Sequence, residues 1–140
     1  MSPRHALVLM LVISLATLTS GQAPTITIKA PRTSPASGRQ MYVAYCASCH
    51  GNEGRGAGPV AVALKSTPPN LTTLAKRNNG KFPADHVYQV IRGDANVPAY
   101  GDKEMPAWGP VFLSRSDAHP AEVQLRITNL TKYIESLQEK

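Results

Sequence analysis

The chain has 140 residues, 42% hydrophobic and 17% charged, which suits one compact domain rather than a disordered polypeptide or a two-domain enzyme. Its two cysteines cannot frame a multi-bridge scaffold, so the whole thiol question falls on one pair. The net charge of +6 is spread without a basic run or interleaved aromatics, which gives nucleic-acid binding no support.

Residues 1–23 read as a secretory signal. Arg4 and His5 form a short basic start, Ala6 to Leu18 is apolar, and Thr19, Ser20, Gly21, Gln22 and Ala23 are small or polar. The apolar run is shorter than the roughly 20 residues a spanning helix needs, so an uncleaved anchor is the weaker reading. Cuts before Gln22 and before Pro24 are both allowed. Export would make the mature chain periplasmic or otherwise extracytoplasmic, and losing Arg4 would lower its charge to +5.

From 24 to 37 the chain carries prolines at 24, 31 and 35 and reads as an extended tether before a domain spanning 38–140. Within that domain, Gly38 to Cys46 places Met41, Tyr42, Tyr45 and Cys46 on one helical face. Asn70 can cap a short helix from Leu71 to Ala75, with Asn79-Gly80 as its stop. Pro83 opens a third helix with a stripe of Val87, Val90 and Ile91, and Gly93 closes it. From Pro120 onward, Val123, Ile127, Leu130, Ile134 and Leu137 form one stripe flanked by Tyr133. No segment alternates with period two, so the expectation is an all-α fold of four to five helices with long loops. Asn70-Leu-Thr72 and Asn129-Leu-Thr131 match the glycosylation sequon but fall at a helix cap and inside a helix, and both read as accidental.

Cys46-Ala47-Ser48-Cys49-His50 uses both cysteines and carries the C-x-x-C-H spacing of covalent haem attachment. On a helix the two sulfurs share a face, each can add to a haem vinyl group, and the imidazole reaches iron from the same side. The competing readings are weaker. A thioredoxin-like dithiol opens a helix after a strand, whereas helix precedes this one. A zinc site needs a fourth ligand, and His86 and His119 are isolated. A disulfide across two intervening residues would be small and strained. A haem would also complete a core that holds few large aromatics against 12 prolines and 10 glycines.

The run Tyr42 to Gly51, then Gly58-Pro59, then Met105-Pro106-Ala107-Trp108-Gly109, then Tyr133 to Leu137, resembles the bacterial class I cytochromes c from Gly38 to the C-terminus. The resemblance implies the class I fold and a small electron carrier with one covalent haem c. It also implies that the Pro59 carbonyl accepts from the axial imidazole. It further suggests that Gly38 and Tyr42 meet Tyr133 where the first and last helices cross.

The second axial ligand follows from the residues themselves. A thioether suits haem iron, and the mature chain offers only Met41 and Met105. Met41 lies on the attachment helix and cannot reach the opposite haem face, whereas Met105 sits in a proline-fixed loop 55 residues after His50. His86 is the rival. Leu64, Leu71, Leu74, Val90, Ile91 and Phe112 are candidates for the apolar haem wall, and Trp108 for either a propionate contact or packing under the methionine loop. The metal ligands are therefore His50 and Met105, with Cys46, Cys49, Pro59, Leu64 and Trp108 around the cofactor.

The function this implies is one-electron transfer without catalysis. The alternatives are the haem subunit of a dehydrogenase or oxidase complex, or an enzyme with five-coordinate haem. The expected partner is a redox protein, either a dehydrogenase donor or an oxidase acceptor. Membrane association is expected only through that partner or an uncleaved leader.

Overall fold

Ser37 starts the first helix because its backbone is extended and its hydroxyl accepts from Gln40 N. In the computed structural model, which describes residues 31–94, 105–117 and 119–140, α1 then runs Gly38–Tyr45 and α2 Ala47–His50, with Cys46 between them. The expected leader over 1–23 and the tether residues 24–30 lie outside the described residues. After a 3-10 turn at Ala61–Ala63, a second at Leu71–Thr73 leads into α3, Leu74–Arg77. The Asn70 side chain accepts from Thr72 N at 2.9 Å, so the expected cap is present, although the first turn it caps is 3-10 rather than α.

α4 spans Ala84–Arg92 between Pro83 and Gly93. Gly93 takes the left-handed conformation (φ 93°) and donates to the Gln89 and Val90 carbonyls, which ends the helix. α5, Trp108–Leu113, is a helix the sequence pattern hides, since Gly109-Pro110 reads as turn punctuation. It forms because Pro110 falls in the first turn, where no backbone N–H is required. α6, Pro120–Ser136, begins with Pro at its first position after an extended His119. Among the described residues there are six α-helices and no strand, an all-α arrangement with long loops in keeping with a class I cytochrome c fold.

α6 is the centre of the packing and touches α1, α4 and α5. Its stripe supplies Ile127, Leu130 and Ile134 to the core, with Val123 and Leu137 at the margin. Met41, Tyr42, Phe112, Ile127 and Leu130 are the largest fully buried side chains. At the crossing of α1 and α6, a Cβ on Gly38 would collide with the Asn129 carbonyl oxygen and stand 2.8 Å from Tyr133 Cβ. Only glycine allows that approach. Tyr42 and Tyr133 seal the crossing with ring centroids 5.2 Å apart.

Residues 31–37 are fastened to this bundle. Arg126, nearly buried on α6, pairs with Glu122 at 2.8 Å and donates through Nη1 to the backbone and hydroxyl oxygens of Thr33, both at 3.1 Å. Asn129 Nδ2 donates to Pro35 O at 2.8 Å. The buried guanidinium is therefore compensated by an ion pair and two acceptors, as a buried charge requires.

Candidate functional site

The α1–α2 junction sets the geometry of the cysteine motif. Cys46 N still bonds to Tyr42 O at 2.8 Å, as the last turn of α1 demands, and Cys46 O already accepts from Cys49 N and His50 N at 3.1 and 2.9 Å. One tight turn thus carries Cys46, Cys49 and His50, with no disulfide joining the two cysteines. Burial, with a smaller contribution from Cys49, pushes the Cys46 thiol up to about 12, so it stays protonated at neutral pH. A redox dithiol or a thiolate nucleophile requires the opposite shift.

His50 is buried, and Pro69 O lies 3.3 Å from its Nδ1. A carbonyl only accepts, so Nδ1 carries the hydrogen and Nε2 presents the lone pair needed by a metal. Burial holds the imidazole below its usual pKa, partly opposed by the Pro69 carbonyl, and this favours the neutral, ligating form.

The acceptor is Pro69 and not Pro59, as the resemblance had implied. The loop after the motif runs back along α2, with Gly58 N bonded to Cys49 O at 3.0 Å and Val60 N to Ser48 O at 2.9 Å. Those bonds hold Pro59 exposed on the outer side of the turn. The loop can lie that close because residue 58 is glycine: a Cβ there would stand 2.6 Å from the Cys49 carbonyl carbon. The Pro68–Pro69 pair just ahead of the Asn70 cap then reaches His50. Its sequence signal is a rigid, extended dipeptide whose carbonyls have no helical partner.

Met105 is an exposed residue at the bend leading into α5. Three residues on, Trp108 packs its ring against Tyr45 and Phe112, with centroids 5.2 and 5.8 Å away. Tyr45 is the residue before Cys46, so this aromatic cluster joins the methionine segment to the cysteine turn. Of the other expected wall residues, Leu74, Ile91 and Phe112 are in the buried core and Leu71 at its edge, while Leu64 and Val90 are half-buried. Phe112 faces the α1–α6 side, 5.8 Å beneath the Arg126 guanidinium. His86 sits in the first turn of α4 and is half-buried. Neither sequon asparagine has an idle side chain: Asn70 caps the 3-10 turn and Asn129 holds Pro35.

Two thiols and one neutral imidazole on a single turn, in an all-α bundle, are the donor set for a covalently attached haem, and they define a c-type cytochrome carrying one haem c. The model of the family described as "Cytochrome C oxidase, cbb3-type, subunit III" matches residues 33–119, more than half of the chain. The chain belongs to that family. Comparison with curated proteins and with solved structures returns no match. The matched residues include the attachment turn, the Pro68–Pro69 acceptor, Met105 and α5. Among the described residues, no helix is long and apolar enough to cross a membrane.

Proposed function

We propose that the chain is the haem-c subunit of a cbb3-type oxidase assembly, relaying single electrons toward the oxidase from the extracytoplasmic side. The observation behind this reading is the extent of the family match, which covers the attachment turn, Met105 and α1 to α5, up to the start of α6. An independent shuttle, the plainer reading of the motif, is supported by the cysteine turn but not by the oxidase-subunit match.

Haem, once joined to the chain, supplies an iron that accepts and releases one electron without bond making or breaking. The protein's part is to hold and tune it. Cys46 and Cys49 fix it by thioether links, which leave no dissociation equilibrium to limit occupancy. His50 ligates through Nε2, oriented by Pro69. Met105 would hold the iron from the other side, through a soft thioether that favours the reduced state. With His50 and Met105 both given to the haem, the chain would move electrons and catalyse nothing itself.

The test is purification of a tagged chain from native membranes. Co-elution with the haem–copper subunit of a cbb3-type oxidase, with loss of oxygen uptake when the chain is deleted, supports the subunit reading. Recovery of all the holoprotein in the soluble extracytoplasmic fraction, with oxygen uptake unchanged on deletion, favours the shuttle.

A further inference from the structure

Tyr45 is held at both ends. Its ring lies 5.2 Å from that of Trp108 and 5.5 Å from that of Phe112. Its hydroxyl donates to Pro31 O at 2.6 Å and stands 2.8 Å from Thr33 Oγ1. A phenol has one hydrogen, which goes to Pro31, so Thr33 donates to Tyr45. Thr33 Oγ1 in turn accepts from Arg126 Nη1 at 3.1 Å. The donors therefore run in one direction, from Arg126 through Thr33 and Tyr45 to Pro31, and Arg126 is itself fixed by Glu122.

The two ends have different consequences. The hydroxyl end fastens residues 31–33, which precede the first helix. The ring end meets Trp108, three residues after Met105 and on the first turn of α5. Met105 and Pro106 are exposed, and the residues that follow are seated on two sides, Ala107 against Gly93 and Trp108 on the Tyr45 and Phe112 rings, so the seating of Trp108 helps to set where the thioether is carried.

We propose that Tyr45 is a positioning residue for the second axial ligand: held through its hydroxyl by Pro31 and the Arg126–Thr33 chain, its ring is the seat on which Trp108 fixes the Met105 loop. This rests on Met105 being that ligand. The N-terminal segment is thereby mechanically linked to the ligand loop, although the two are some seventy residues apart in sequence. Loosening either end should raise the population in which the thioether is off the iron.

The experiment uses the oxidised holoprotein and imidazole, a stronger ligand that competes with a thioether. Tyr45→Phe removes the hydroxyl and keeps the ring, Thr33→Val removes the hydroxyl's donor, and Tyr45→Leu removes the ring. Leu130→Ala, in the core of α6, is the control for general destabilisation. Tyr45→Phe and Thr33→Val, which each remove two hydrogen bonds, should each raise the apparent imidazole affinity by at least about fivefold, the change that one such bond accounts for, and Tyr45→Leu tenfold or more. Leu130→Ala should lower the unfolding midpoint while leaving imidazole affinity at the parent value. If the Tyr45 variants bind imidazole like the parent, or Leu130→Ala matches them, the proposal is overturned while the ligand assignment stands. If the parent lacks a methionine-to-iron charge-transfer band, or keeps it in Met105→Ala, the ligand assignment fails and takes this proposal with it.

Discussion

The Pro69 carbonyl oxygen stands 3.3 Å from Nδ1 of His50, nineteen residues earlier in the chain. An acceptor on that nitrogen makes the imidazole a stronger electron donor through Nε2, which favours oxidised iron. The Pro68→Ala/Pro69→Ala variant releases the rigid dipeptide and loosens this contact. Its midpoint potential should rise by about 30 mV, half of the ~59 mV that corresponds to a tenfold change for one electron. Redox titration of parent and variant reads the shift; an unchanged or lower potential would show that Pro69 does not tune the ligand.

Gly38 marks the place where α1 and α6 touch through their backbones, since a Cβ would run into Asn129 O. Gly38→Ala must push the helices apart, disturbing the Tyr42–Tyr133 contact. The expected cost is about 2–3 kcal/mol, read as a lower urea midpoint of the holoprotein. A midpoint equal to the parent's would mean that the crossing relaxes freely.

How much of this was legible in the sequence depends on the distance between partners. α1, α4 and α6 could be read because their apolar stripes, caps and closing glycine lie within each segment. Cys46, Cys49 and His50 could be read because attachment demands a fixed spacing. α5 could not, since Gly109-Pro110 has the same local signature whether it opens a helix or makes a turn. The His50 acceptor was misplaced at Pro59 because the choice is made by the path of the intervening loop, pinned by the Gly58–Cys49 and Val60–Ser48 backbone bonds. The Arg126–Thr33 link spans 93 residues, and no local pattern announces it.

Glu139 joins the C-terminus to the loop before α3. Its carboxylate accepts from Thr72 Oγ1 at 3.0 Å and from Arg55 at 2.9 Å, and these contacts, Thr72 foremost, hold its pKa below the usual glutamate value. A carboxyl depressed by folding stabilises the native state fully above its unfolded pKa, about 4.3, and loses that contribution as pH falls through the lower folded value. Urea midpoints of parent and Glu139→Gln should therefore differ at pH 7 and draw together as the pH falls below about 4. A difference that does not shrink as the pH falls below about 4 would remove the charge from the explanation.

The proposed function gives Met105 to the iron through its thioether, and imidazole would favour oxidised iron more strongly. Met105→His should keep the haem low-spin and lower the midpoint potential by more than 100 mV, on the order of two tenfold steps at ~59 mV each. His86→Ala should leave both spectrum and potential as they are. The reverse pattern would transfer the ligand role to His86.

The covalent bond between chain and haem underlies the expectations for Pro69 and Met105. Intact mass under denaturing conditions measures it directly on protein made in a host competent for haem attachment. The parent should gain the mass of one haem, and Cys46→Ala/Cys49→Ala should show the bare polypeptide. A parent that also runs at the polypeptide mass, with both thiols open to alkylation, would contradict the assignment of Cys46, Cys49 and His50 as the haem c site.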